Sequence, residues 1–301
     1  MKHLPFDVAY SCVPASFKRL LCRATQEEHD RDLTDVYISC PSLLKGKLGK
    51  GDPDEADAFA VARILQKCLA VTKLVIPAVF VANATVSEQL ERIKDVSIYK
   101  SKSRDASDYL LDVLSPLARP AVSGLTRLCM QDSHFFWTLS HIGKLTSLLT
   151  LDLSKSTLDG DDWSPLSKLT KLKFLDVSMT NFKDLSVLAG CNDIRYINLD
   201  YTSVEDLSTL SHCPRLEFVG VNNRHVRDLT PLRFCVLLKG IEFNGDYITD
   251  VSPLASCTQL EIVCGINSTR RFATLRTTCP NVKWGTFDRK TLQIDKSMPL
   301  F

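Results

Sequence analysis

The sequence has no excess of charge of either sign and no long uninterrupted hydrophobic run. Its 37 Lys and Arg residues stand against 35 Asp and Glu residues, which gives a formal net charge of +2. So small a net charge creates no global field that would attract nucleic acid or acidic lipid. The longest apolar stretch, 74–86, is broken by Pro77 and Asn83 and is shorter than the roughly 20 residues of a membrane-spanning helix. We therefore expect no membrane span and a partner that is recognised by shape, and the balanced charge disfavours nucleic acid as that partner.

Paired-cysteine motifs and a secretion signal are also missing. The chain has 11 cysteines, an odd number, with no Cys-x-x-Cys pair and no basic-then-apolar signal peptide. This usage favours a reducing compartment over a secreted disulfide scaffold, so we expect a cytoplasmic protein. A nuclear location is one alternative. A mitochondrial location is the other, because Lys2, Lys18, Arg19 and Arg23 stand against a single acid, Asp7, in the first 25 residues.

Motifs for catalysis, metal binding and phosphate binding are absent from the sequence as well. The Gly- and Lys-rich stretch 45–51 does not fit the Gly-x-x-x-x-Gly-Lys-Ser/Thr pattern of a phosphate-binding loop. The six histidines fall at unrelated positions, and none has a metal-binding or Cys-His spacing. We therefore expect no enzyme activity, no cofactor and no small-molecule substrate.

The sequence does contain a repeat of 22 residues. One position of each unit is filled by Cys or Leu, at Leu169, Cys191, Cys213, Cys235, Cys257 and Cys279. With insertions, the same position continues upstream at Leu145, Val122, Leu90 and Cys68. These positions define about ten units, and a degenerate eleventh unit lies around 33–38. Inside a unit the apolar residues have the spacing Leu-x-x-Leu-x-Leu, as at Ile194, Ile197 and Leu199.

This pattern resembles the leucine-rich-repeat family, and in particular its 22-residue class, which includes the internalins and a group of protein-phosphatase regulators. The resemblance covers roughly residues 68–292. It implies an α/β solenoid with a curved parallel β-sheet on the concave side and short helical or 3-10 turns on the convex side. A single unit cannot bury its apolar side alone, so successive units stack strand on strand at about 4.8 Å and share one core.

The composition before the repeats differs from that of the array. An apolar-faced helix is predicted to begin after Asp52 and to run through Val61, Ile64 and Leu65. We interpret residues 1–66 as an N-terminal helical cap, because solenoids need atypical terminal units to cover their open core. Residues 67–301 form the solenoid with a C-terminal cap, and the insertion 101–115 is predicted to be an exposed loop.

The bend after each strand lacks the Asn that the family usually places there. Hydroxyl residues occupy this position and are expected to bind backbone groups in its place, at Ser133, Ser156, Thr180, Thr202 and Ser268. Three units break this hydroxyl series, at Arg224, Asp246 and Lys290. On the return segment, Ser164, Thr230 and Ser252 precede Pro, and we expect their hydroxyls to cap short helical turns.

The repeated cysteines share their position with Leu145 and Leu169. A position that accepts either residue calls for a small or medium apolar group. We therefore expect buried free thiols there, and neither metal ligands nor disulfides.

Residues between the core positions of a strand point to the opposite face, so they are expected to line the concave surface. One column of that surface is predicted to be rich in aromatic rings: Thr150, Phe174, Tyr196, Phe218, Gly240, Ile262 and Trp284. Rings beside polar groups are typical of interface hot spots, although these rings could instead stack to brace the sheet. The predicted partner-binding residues are Phe174, Asp176, Met179, Tyr196, Asn198, Asp200, Tyr201, Phe218, Asn222, Glu242, Asn244 and Trp284.

These observations favour a non-catalytic protein–protein interaction module, scaffold or adaptor. The acids beside the rings predict a partner with a basic segment. The resemblance leaves one alternative open, a regulatory subunit of a phosphatase-like enzyme. A second alternative is a structural component of a nucleic-acid-containing assembly, because basic residues cluster at Arg270, Arg271, Arg276, Lys283, Arg289 and Lys290.

Overall fold

The computed structural model describes most of the repeat region and small parts of the two ends. The described residues are 35–37, 62, 65–66, 72–77, 81, 84–99, 117, 124–130, 134–135, 139–158, 161–244, 247–266 and 283–284. The chain divides into two compact units, Met1–Thr150 with Ser156–Gly160, and Leu151–Lys155 with Asp161–Phe301. The predicted cap helix lies outside the described residues except for Ala62, Leu65 and Gln66, and so does all of the predicted loop 101–115.

The first unit contains a parallel sheet whose strands follow one another in chain order. They are β1 (Asp35–Tyr37), β2 (Lys73–Pro77), β3 (Asp95–Tyr99) and β4 (Arg127–Cys129). Val36 pairs with Leu74, which confirms a strand in the degenerate eleventh repeat. A separate parallel pair joins β5 (His134–Phe135) to β7 (Thr157–Leu158). The helical elements of this unit whose bounds are described are α1 (Ala84–Ser87) and the 3-10 turns Glu88–Arg92 and Ile142–Lys144.

The strand β6 (Thr150–Asp152) contributes Thr150 to the first unit and its other residues to the second. The second unit continues with six parallel strands: β8 (Phe174–Asp176), β9 (Tyr196–Asn198), β10 (Phe218–Val221), β11 (Gly240–Asn244), β12 (Ile262–Ile266) and β13 (Lys283–Trp284). Between them lie the 3-10 turns Ser164–Lys168, Leu185–Leu188, Ser208–His212, Thr230–Phe234 and Ser252–Ser256. The parallel strands and short turns expected of the solenoid are confirmed.

The register of the second unit reproduces the sequence period. From β8 to β12, each strand residue pairs with the residue 22 positions later, as Leu175 does with Ile197 and Val219 with Ile241. This pairing places the same repeat position of every unit in one column. The resulting core column is fully buried and consists of Leu175, Ile197, Val219, Ile241 and Val263. Each strand therefore covers the apolar side of its neighbour.

The five 3-10 turns of the second unit are capped by aspartate carboxylates. In each case Oδ1 of an aspartate accepts a hydrogen bond from the backbone N–H two residues later, at 2.7–3.0 Å: Asp162, Asp184, Asp206, Asp228 and Asp250. The amide of Ser186 thereby holds the pKa of Asp184 below its usual range. The turns begin at Ser164, Thr230 and Ser252 with Pro in the first turn, as predicted. The capping group differs from the prediction, because the amides of these residues donate to the preceding aspartate carboxylate.

The bends after the strands are closed by hydroxyl groups, as predicted. Thr180 donates through Oγ1 to the carbonyl of Val177, and Thr202 does so to Leu199, both at 2.6 Å. In the first unit, Ser156 donates to the carbonyl of Met130 at 2.9 Å. Ser133 and Ser268 lie outside the described residues.

Where Arg224 interrupts the hydroxyl series, the preceding residue takes over. The Oδ1 atom of Asn223 accepts the amides of His225 at 3.0 Å and Val226 at 2.9 Å. Its Nδ2 atom donates to the carbonyl of Val204 at 3.4 Å. Asn223 is buried, which is consistent with this use of its side chain. The predicted breaks at Asp246 and Lys290 lie outside the described residues.

We predict that Leu199→Ala lowers the free energy of unfolding by about 2 to 5 kcal/mol, because it leaves a cavity where two repeats share their core. Leu199 is 0% exposed, whereas Leu237 is 36% exposed and supplies a control of the same residue type. Urea unfolding followed by circular dichroism measures both variants. Equal effects of the two substitutions would contradict the core assignment.

Candidate protein-binding face

A column of buried polar side chains lies on β8 and β9 and continues into the residues that directly follow β8, β9 and β10. Nδ2 of Asn198 donates to Oδ2 of Asp176 at 3.0 Å, and Oδ1 of Asn198 accepts the amide of Asp200 at 3.2 Å. Oδ1 of Asp176 accepts both the amide and the hydroxyl of Ser178, at 2.9 and 2.6 Å. Oδ1 of Asp200 accepts the amide of Asn222 at 2.8 Å. These two carboxylates therefore accept hydrogen bonds from backbone amides where the strands end.

The buried network weakens the basis for a basic partner. That prediction required carboxylates beside the rings to be offered to solvent. Asp176 and Asp200 are buried and accept hydrogen bonds from within the chain. Asp152, in the same column, is buried as well and accepts the amide of Ser154 at 2.9 Å. Their charge is used mainly to stabilise the ends of the strands.

Gly220 leaves room for this network. A Cβ atom at Gly220 would lie 2.6 Å from Oδ1 of Asn198 and 2.8 Å from Oδ1 of Asp200. Contacts this short are repulsive, so either the added methyl group or the two side chains would have to shift. The shift would strain the hydrogen bonds that those oxygens accept from Asp200 and Asn222.

We predict that Gly220→Ala destabilises the fold by about 1 to 3 kcal/mol, the usual effect of disturbing buried hydrogen bonds. Gly190→Ala is the matched control, because its Cβ atom would meet Thr170 Cγ2 at 3.4 Å, an ordinary contact. Thermal melting of the two variants provides the comparison. A melting temperature for Gly220→Ala as high as that of the control would show that the network tolerates a methyl group.

The predicted aromatic column forms a continuous stack. The ring centroids of Phe174 and Tyr196 lie 4.1 Å apart with an angle of 5° between the ring planes. Those of Tyr196 and Phe218 lie 4.9 Å apart with an interplanar angle of 18°. The three residues are only 5%, 3% and 0% exposed, respectively. Stacking and burial both favour the alternative in which the rings brace neighbouring strands. A direct role of these rings in binding stays a prediction.

The register places Trp284 outside the aromatic column. Ile262 pairs with Lys283, and Trp284 pairs with Val263, so the last step is one residue shorter than the sequence period. A shift of one residue exchanges the two faces of a strand. The assignment of Trp284 to the Phe174 column was therefore wrong, and its register position is that of the core residue Val263. Asn244 ends β11 opposite Ile266, and Glu242 is half-buried on the same strand.

Two predicted site residues are strongly exposed, Met179 at 50% and Tyr201 at 57%. Both follow a strand and have positive φ angles, 56° and 55°, and Lys155 has the same conformation at 59°. Their backbone amides donate to the next unit: Lys155 to Ser178, Met179 to Asp200 and Tyr201 to Asn222, at 2.8–3.1 Å. Asn222 is buried and approaches the Tyr201 hydroxyl with Nδ2 at 3.5 Å.

The sequence did not lead us to include Lys155 among the candidate site residues, although its backbone has the conformation of Met179 and Tyr201. The signal available was its position, since it precedes the hydroxyl residue Ser156 as Met179 precedes Thr180 and Tyr201 precedes Thr202. Alignment on the bend, and not on the strand alone, would have identified it.

Four thiols at the repeated Cys position are buried as expected, those of Cys191, Cys213, Cys235 and Cys257, whereas Cys68 and Cys279 lie outside the described residues. The Sγ atoms of Cys191, Cys235 and Cys257 approach the carbonyls of Leu169, Leu210 and Leu232 at 3.3–3.4 Å. Burial raises the pKa of the Cys191 and Cys213 thiols to about 11 and that of Cys235 to about 12. Because the thiolate is the nucleophile and the metal ligand, a raised pKa disfavours both roles for these thiols at neutral pH.

We predict that iodoacetamide leaves Cys191, Cys213 and Cys235 unmodified in the folded chain near pH 8 and modifies them after unfolding in urea. The half-buried Cys129 is the internal control. Unfolded thiols lose protons from about pH 8.5, earlier than the buried ones, so the free energy of unfolding should fall as the pH rises above that value. Site-resolved mass spectrometry and melting at graded pH test both statements. Rapid labelling of the folded chain would contradict them.

Neither a metal centre nor a membrane segment is found in the part of the chain that the structure describes. No group of three or more His, Cys, Asp or Glu side chains is placed to hold a metal ion among those residues. No helix within the described ranges is long and apolar enough to cross a membrane. The basic cluster near the C-terminus lies outside these ranges, apart from the backbone of Lys283.

No protein-family model and no curated protein matches the sequence. Solved structures do. Internalin C2 from Listeria monocytogenes is 24% identical and has a TM-score of 0.52, and the match covers 69% of this chain and 91% of that chain. A leucine-rich-repeat protein from Leptospira interrogans is 13% identical with a TM-score of 0.55, and the match covers 74% and 68% of the two chains. At these identities the likeness concerns the fold.

Proposed function

We propose that this chain, which has the leucine-rich-repeat fold, is a non-catalytic interaction module, scaffold or adaptor that binds a protein partner on the strand side of its central repeats. The fold is typically a protein-binding module and is generally non-catalytic. The proposed region of contact comprises the predicted residues of β8 to β11 and of the bends that follow these strands. Met179 and Tyr201, which lie in two of those bends, are its exposed part. A cytoplasmic location stays a prediction.

The exposure of Met179 and Tyr201 is the observation that carries this proposal. Large apolar side chains that are half exposed on a rigid backbone can be buried by a partner without much loss of conformational freedom. The hydrogen bonds of Met179 to Asp200 and of Tyr201 to Asn222 supply that rigidity. The buried rings of Phe174, Tyr196 and Phe218 support the same surface from within the sheet.

We predict that affinity purification with the tagged full chain recovers one protein at a stoichiometric level, and that Tyr201→Lys reduces its recovery about tenfold or more. Lysine fits the backbone there, because Lys155 has the same positive φ. Phe234→Lys is the matched control, since Phe234 is 54% exposed on the 3-10 turn Thr230–Phe234. Circular dichroism establishes that the two variants are folded.

The outcomes distinguish whether the chain binds a protein from where on the chain the binding site lies. Recovery of no stoichiometric protein by the unmodified chain would reject the interaction module. A partner that is lost with Phe234→Lys and kept with Tyr201→Lys would move the site to the turns. Phosphatase activity in the eluate would favour the regulatory subunit, whereas nuclease-sensitive recovery would favour the nucleic-acid assembly.

A further inference from the structure

Four exposed residues mark the ends of successive strands in the second unit. Lys155, Met179 and Tyr201 occupy the same position in three consecutive repeats, and Arg224 is exposed directly after Asn223, which holds that position in the fourth. Backbone hydrogen bonds of 2.8–3.1 Å join each of the first three to the next repeat. We call these four residues the strand-exit row.

The backbone conformation of the row does not require these side chains. Positive φ angles are unfavourable for residues with a Cβ atom by roughly 1 to 2 kcal/mol, and Gly or Asn adopts them more readily. Met179 and Tyr201 are bulky and yet adopt φ values of 56° and 55°. Their side chains contribute little burial in return, since half or more of each is exposed. Folding alone therefore does not explain why apolar side chains stand there.

The two ends of the row carry exposed cations, Lys155 and Arg224. Some cations of the second unit pair with acids of a neighbouring repeat, namely Lys173 and Arg215 with Asp193, and Arg195 and Lys239 with Glu217. Others, such as the exposed Lys168 and Arg227, have no ion-pair partner within the described part of the chain. Lys155 and Arg224 have no carboxylate within ion-pair distance among the residues that the structure describes. The row therefore presents two uncompensated cations with two apolar side chains between them.

From this arrangement we infer that the strand-exit row binds an extended segment of a partner protein that has a large apolar residue flanked by acidic residues. The inference rests on the proposed function and specifies its partner. Three steps between parallel strands span about 14 Å, which an extended chain covers in four to five residues at about 3.3 Å each. The partner's carboxylates would face Lys155 and Arg224, and its apolar side chain would cover Met179 and Tyr201.

The acidic character of this segment is the reverse of the basic segment expected from the sequence. The difference arises because the acids of the strands are buried on backbone amides, as for Asp176 and Asp200. The charged members of the row itself, Lys155 and Arg224, are exposed and positive. Charge complementarity at an exposed rim mainly affects association and is screened by salt, so affinity should fall as ionic strength rises.

A peptide-display selection on the full chain tests the inference. A random library is selected on the unmodified chain and depleted on Met179→Asn/Tyr201→Asn, because asparagine keeps the positive φ and removes the apolar side chains. We expect the recovered peptides to carry Asp or Glu on both sides of a Phe, Trp, Leu or Met residue. Fluorescence polarisation should show about tenfold weaker binding of one such peptide to the double variant.

Two further variants make the test independent of folding effects. Lys155→Gln/Arg224→Gln changes only exposed positions and should remove most of the decrease in affinity between about 0.05 M and 0.5 M salt. Phe234→Asn/Val236→Asn is the control, because these residues are 54% and 49% exposed, similar to Met179 and Tyr201, and lie outside the row. This control should bind the peptide like the unmodified chain.

Several results would overturn the inference. They are recovery of basic peptides, recovery of no acidic peptide, equal binding to the double Asn variant, and a salt response that survives Lys155→Gln/Arg224→Gln. Binding of a labelled oligonucleotide that competes with the peptide and requires the row would show that nucleic acid is the ligand. If affinity purification still yields a stoichiometric partner in any of these cases, the proposed function stands and only the assignment of the row fails.

Discussion

The in-register pairing of parallel strands is the constraint on which the second unit depends. A repeat here has one short strand and one 3-10 turn, which is too little to enclose a core. Leu175 is buried because Ile197 lies beside it, and Ile197 because Val219 does. The 22-residue spacing therefore does more than repeat a motif, since it brings the same column of side chains to the same depth in every repeat.

The pairing also determines how polar groups are used. Strands that end inside a stack leave backbone amides that need acceptors. Asp176 and Asp200 accept them on the strand side, and Asp184 accepts one at a turn. Acidic side chains that look in sequence like a recognition surface are thus mainly structural, and the charge available for recognition lies elsewhere.

The sequence predicted the repeat frame, the parallel strands, the turns and the hydroxyl groups at Thr180 and Thr202, because each follows from spacing and residue type. The candidate site was predicted less well, since a column defined by spacing shows which residues align but not whether they are exposed. Phe218 is fully buried, and Asn223 is buried and accepts backbone amides. Trp284 pairs with Val263, one position away from the pairing that the 22-residue period predicts. These outcomes depend on local hydrogen bonds and on one shortened step, which leave no mark in the apolar period.

At Lys155, Met179 and Tyr201 the residue has a positive φ, and its backbone and its side chain have different roles. The backbone there is held by main-chain hydrogen bonds to the next repeat, and the side chain takes little part in the core. A lysine, a methionine and a tyrosine occupy equivalent positions on this account. Recognition specificity could therefore change at these positions during evolution while the stacked core stayed the same, and the fold offers a natural place for diversity.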